Sequence, residues 1–86
     1  MKKIMKCWEL EPGMTFSINM DDPGDRWVIE RLVPDGEEIN GEVIRNERRN
    51  KWVVSPVKGG RSVLACFDRI FRPEQYNLKP STQDEP

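Results

Sequence analysis

Met14, Phe16, Ile18 and Met20 alternate with Thr15, Ser17 and Asn19, the period-two pattern of a strand with one face buried and one wet. Turn chemistry brackets this run, with Glu11-Pro12-Gly13 before it and Asp21-Asp22-Pro23-Gly24-Asp25 after it. Proline presets φ in such turns and glycine accepts a positive φ. Residues 27–33 are rich in β-formers and stop at Pro34-Asp35-Gly36, which predicts a second strand and a turn. Residues 39–45, with Val43 and Ile44, and residues 52–57, with Trp52, Val53 and Val54, flank the polar stretch 46–51. They are expected to pair as a hairpin with that stretch at its tip. Pro56 has no N–H to donate, which puts its strand at an edge or at a strand end. Beyond the turn Lys58-Gly59-Gly60-Arg61, residues 62–67 form a last long strand, and residues 67–71 fit one short helical turn closed by Pro73.

Strands at this spacing, joined by tight turns and with no long amphipathic helix, predict an all-β fold, a small antiparallel barrel of about five strands. Its expected core is Phe16, Ile18, Ile29, Val43, Val54, Leu64 and Phe67. The opening Leu10-Glu11-Pro12-Gly13-Met14-Thr15-Phe16, followed by a strand, a loop, a central hairpin and a strand leading to a short turn, resembles SH3-like barrels of the KOW and Tudor kind over residues 8–72. That resemblance implies the fold and brings no site residues with it. Residues 1–78 are expected to form the single domain, and residues 79–86, polar and proline-bearing, a disordered tail.

The chain has 86 residues, of which 36% are apolar and 34% charged, so its core must be small. It has no run of about 18 apolar residues, and Met1 to Lys6 lacks the apolar stretch of a signal peptide, so no membrane contact and a cytoplasmic location are expected. Cys7 and Cys66 show no motif spacing and histidine is absent. Two soft ligands fall short of a structural zinc site, so neither metal nor cofactor is expected. Cys66, between Ala65 and Phe67, reads as a small core residue.

The net charge of −1 hides a polar distribution. Residues 1–44 hold five bases against ten acids, whereas residues 45–61 hold six bases against one acid. A basic segment of this kind can meet a polyanion that the acidic remainder would repel. Arg45, Arg48, Arg49 and Lys51 fall on the expected hairpin tip, with Trp52 beside them as a stacking face for a base. Lys58 and Arg61 lie on the next connection, at the other end of the fourth strand, so the basic groups are expected to form a stripe.

Without histidine the usual near-neutral acid or base is missing, which argues against an enzyme and a small-molecule substrate. Asp21, Asp22 and Asp25 read as a solvated turn, and Lys58-Gly59-Gly60-Arg61-Ser62 lacks the spacing of a phosphate loop. The leading expectation is therefore a binding module that touches nucleic-acid phosphate through Arg45, Arg48, Arg49, Lys51, Lys58 and Arg61, alone or within a nucleic-acid-handling complex. The rival expectation is a small protein-binding regulator or inhibitor, of the type carried by phages and mobile elements against host defence or transcription machinery. Its acidic loops, Asp21, Asp22 and Asp25 with Asp35, Glu37 and Glu38, would mimic a phosphate backbone.

Overall fold

The computed structural model describes residues 5–80. Their elements are β1 (Met5–Lys6), a 3-10 turn (Cys7–Glu9), β2 (Thr15–Phe16), β3 (Trp27–Leu32), β4 (Glu37–Ile39), β5 (Glu42–Ile44), β6 (Lys51–Pro56), β7 (Val63–Cys66), β8 (Ile70–Phe71) and a second 3-10 turn (Pro73–Tyr76). The fold is all-β and every strand pair is antiparallel. One sheet has the order β2-β3-β6-β7, while β1 with β8 and β4 with β5 make two small sheets. In the described residues β2 and β7 are the outer strands of the four-stranded sheet, so that sheet is open.

Phe16, Ile29, Trp52, Val54, Phe67 and Phe71 form the core with Cys7 and Leu10. Phe67 meets the edges of Phe16 and Phe71 at centroid distances of 5.4 and 5.3 Å, and Tyr76 stacks on Phe71 at 4.5 Å. Edge-to-face and offset contacts of this kind suit the ring quadrupoles. A bulge in β3 lets both ends of that strand reach the core: Ile29 pairs with Val54, the register then slips, and Leu32 pairs with Trp52. The extra residue is Glu30, which turns outward and accepts a hydrogen bond from Ser62 Oγ at 3.0 Å.

Several expectations need correction. The alternating run from Met14 ends as a strand at Phe16, and Ile18 is 61% exposed. The cause is Asp25, whose Oδ2 takes the N–H groups of both Ile18 and Asn19 at 2.6 Å and turns the backbone away from the sheet. Residues 39–45 and 52–57 do not pair. Instead β4 and β5 close on each other through Asn40 and Gly41, with φ of 54° and 80°, the two-residue turn whose twist matches the flanking strands. Val43 therefore sits on an arm outside the core and is 55% exposed, and Leu64, on the outward face of the outer strand β7, is 39% exposed.

Cys66 shares that outward face and is exposed, while Cys7 is the buried cysteine. Residues 67–71 hold no helical turn, because Ile70 and Phe71 pair with Lys6 and Met5. The 3-10 turn comes later, and Pro73 opens it, as suits a residue with φ preset and no N–H to satisfy. Lys79, expected in a free tail, exchanges backbone hydrogen bonds with Thr15 at 2.8 and 3.1 Å. The rest of the expected tail from residue 81 lies outside the described residues.

Candidate functional site

Residues 45–50 connect β5 to β6, and one side chain organises them. Asn46, 2% exposed, donates through Nδ2 to the carbonyls of Val33 and Lys51 at 2.6 and 3.1 Å. Its Oδ1 accepts from the N–H groups of Asn50 and Lys51 at 3.1 and 3.0 Å, and its own N–H donates to Asp35 Oδ1 at 2.7 Å. The amide thus replaces the ladder partners that a paired hairpin would have supplied. Within this frame the Arg49 N–H closes a turn onto the Asn46 carbonyl at 3.1 Å, and Arg49 takes a left-handed φ of 53°.

Arg49 is also pinned from below. Its carbonyl accepts the Cys7 thiol at 3.6 Å, and the Cys7 N–H donates to the carbonyl of Arg69 at 3.0 Å. Burial pushes the Cys7 thiol above its ordinary value, so it serves here as a neutral donor. The first 3-10 turn, the 45–50 connection and the segment before β8 are thereby joined around Trp8. The guanidinium carbons of Arg49 and Arg69 stand 5.8 and 5.7 Å from the centroid of that indole. Each such contact is worth about 0.5–1 kcal/mol at an exposed site and holds the charge in place.

Around these groups opens a cleft of about 540 Å³, lined by Trp8, Arg48, Arg49 and Arg69, with Cys7, Asn50 and Phe67 beneath and Glu47 and Asp68 on its walls. Among the described residues no carboxylate forms an ion pair with Arg48, Arg49 or Arg69. Three guanidiniums without a carboxylate partner among the described residues, two of them oriented by one aromatic, can present donors to the oxygens of a phosphate or carboxylate.

The expected site residues divide. Arg48 and Arg49 line the cleft. Arg45 leans on Asp35, in the turn between β3 and β4, at 3.7 Å, and the Lys51 ammonium donates to the Arg45 carbonyl at 2.6 Å, so the first ties the connection to that turn and the second ties it to the start of β6. Trp52 is 3% exposed, and its indole N–H meets no acceptor among the described residues, so it offers no stacking face. Its position on a central strand, opposite Leu32 and Ala65, puts it in the core. Lys58 and Arg61 lie past the far end of β6, about 20 Å from the cleft at ~3.3 Å per strand residue, and the Lys58 ammonium rests on Gly24. These two cations do not join the cleft.

The acidic residues are largely occupied. Asp25 accepts from Ile18, Asn19 and the Trp27 indole, and these bonds hold its carboxyl below the usual range. Asp22 Oδ1 accepts from the Gly24 N–H at 2.9 Å. Asp35 holds Asn46 and Arg45. Glu37 takes a two-pronged hydrogen bond from Arg31 at 2.9 and 2.7 Å, which lowers its carboxyl. Asp21 and Glu38 carry no side-chain bond of this kind among the described residues.

Trp8, Arg69 and Asn46 are the contributors that sequence reasoning missed. Trp8 and Arg69 come from opposite ends of the chain and meet Arg49 only through the fold. Asn46 had a local signal in being the first residue after a β-run and before a charged loop, where its side chain can bond nearby backbone. Among the described residues no three His, Cys, Asp or Glu side chains gather closely enough to hold a metal ion, and no helix is long and apolar enough to cross a membrane. Neither a protein-family model, a curated protein nor a solved structure matches this chain.

Proposed function

We propose that the protein is a non-enzymatic binding module that grips nucleic-acid phosphate with Arg48, Arg49 and Arg69 and works beside a partner in a larger complex. The observation that carries this reading is the meeting in one cleft of three guanidiniums that have no carboxylate partner among the described residues, two of them laid over Trp8. Arginine is suited to this use because its planar fork matches phosphate oxygens and survives stacking on an aromatic. Acidic groups elsewhere, such as Glu38 and Glu42 on the β4–β5 arm, repel a polyanion and confine it to the cleft. We also read the fold as an open relative of the SH3-like barrel: a β3-β6-β7 meander, then a 3-10 turn, then a return of the chain to β2 through Lys79 and Thr15.

The inhibitor reading draws less from the same geometry. Asp22, Asp25, Asp35 and Glu37 are engaged within the chain, and a mimic of a phosphate backbone needs its carboxylates free.

Fluorescence anisotropy with a labelled oligonucleotide tests the proposal. The parent should bind at about 50 mM salt and weaken strongly by about 200 mM. Arg49→Glu with Arg69→Glu should abolish binding while the circular-dichroism spectrum holds and the melting temperature falls only by the few degrees that the two lost indole contacts imply. Lys58→Glu with Arg61→Glu should bind nearly as the parent does. Undiminished binding by the Arg49/Arg69 variant would remove the cleft from consideration.

A further inference from the structure

Two carboxylates stand in a cleft otherwise furnished for anions. Glu47 and Asp68 are exposed on its walls, and among the described residues neither pairs with the guanidiniums beside it. For phosphate alone they are a handicap, because each subtracts from the positive field. They have a constructive use if a base enters with the phosphate. An ionised carboxylate only accepts hydrogen bonds. Cytosine and adenine present an amino donor where thymine and uracil present a carbonyl oxygen, and Asp or Glu accepts from the cytosine amino group.

The shape agrees with such a ligand. A concave site of about 540 Å³ falls in the size range of small-ligand pockets and takes one nucleotide. A duplex reaches into such a site only by flipping a base out of its stack, at the cost of unpairing it. An unpaired base can stack on the free plane of the Arg49 or Arg69 guanidinium, each backed by the Trp8 ring, while guanidinium edges remain for phosphate.

Building on the phosphate-binding reading, we infer that the cleft is a single-strand site that selects an amino-bearing base, with Glu47 and Asp68 accepting from its exocyclic amino group and Arg48, Arg49 and Arg69 each holding one of the phosphates adjoining it along the strand. Cytosine should therefore be favoured over thymine although both are small pyrimidines on strands of equal charge.

The test compares labelled oligo-dC and oligo-dT of about 12 nucleotides, together with a mixed-sequence duplex, at neutral pH and low salt. The parent should bind oligo-dC about tenfold more tightly than oligo-dT, the discrimination expected of one well-placed base contact, and should bind the duplex least. Glu47→Gln with Asp68→Asn should bring the two strands to equal affinity, chiefly by strengthening oligo-dT, whose carbonyl then meets amide donors. Equal binding of both strands by the parent overturns the base selection and leaves the phosphate reading standing, as does a preference that survives in the double variant. Tighter binding of the duplex overturns the single-strand assignment. If none of the three binds at low salt, the phosphate reading fails and this inference falls with it.

Discussion

Asn46 is small, uncharged and central to the site. Its amide bonds to four backbone groups of three residues, Val33, Asn50 and Lys51, and the amide itself is almost wholly shielded from water. Asn46→Ala would leave those four groups, one of them buried and three half-buried, without these partners, so it should cost about 3 kcal/mol of stability. Chemical denaturation measures that cost, and a loss below about 1 kcal/mol would mean that the connection has other supports. Trp52→Ala should cost about 3–5 kcal/mol and leave little folded protein, seen as a collapsed thermal transition. A folded variant with only weakened nucleic-acid binding would instead restore Trp52 to the surface. Residue types alone did not decide these two roles. Tryptophan beside arginines reads by default as core or rim packing and alternatively as a stacking face, and the choice rests on which strand lies at the centre of the sheet, a long-range fact. The arginines at 48 and 49 were legible because charge density is local.

At the scale of elements, loop 17–26 shows how one carboxylate overrides a strong pattern. Phe16 and Ile18 have the spacing of a strand face, but the two backbone N–H groups that would extend the ladder are taken by Asp25. Those bonds, with the one from the Trp27 indole, depress the Asp25 carboxyl. A group with a lowered folded value contributes stability at neutral pH. That contribution fades as pH falls through the ordinary carboxylate range of about 4 and on through the folded value. Asp25→Asn should therefore lower the melting temperature near pH 7, and the gap from the parent should close toward about pH 3. A gap of constant size would show that the charge is immaterial. The strands β3, β6 and β7 were legible because β-branched runs ended at clear turns. The pairing of β4 with β5 was carried by Asn40-Gly41, the strongest short hairpin signal in the chain, yet the longer apolar runs around it drew the pairing elsewhere. The β3 bulge breaks period two between Ile29 and Leu32, and its position depends on the partner strand.

The whole molecule is organised by the length of β6. The cleft opens at its Lys51 end, and the turn with Lys58 and Arg61 follows its Pro56 end. The split of charge along the chain was plain in the sequence, and so was the placement of the two basic groups at opposite ends of one strand. Which cations gather in the cleft was hidden, because Arg69 joins through a segment remote in sequence while Arg45 leans on Asp35 and Lys51 on the Arg45 carbonyl. This difference is measurable without any mutation. A single strand contributes a slope of about −0.7 in log affinity against log salt for each phosphate neutralised. The three cleft arginines therefore predict a slope near −2, whereas the six cations of residues 45–61 acting as one stripe would give about −4. A titration of an oligonucleotide across about 50–200 mM salt separates the two values. A slope near −2 should persist when Lys58 and Arg61 are reversed to Glu and flatten when Arg49 is changed to Gln. A slope near −4 that falls with the Lys58 and Arg61 changes would mean that the ligand runs the length of the molecule, and that the cleft is only one end of its track.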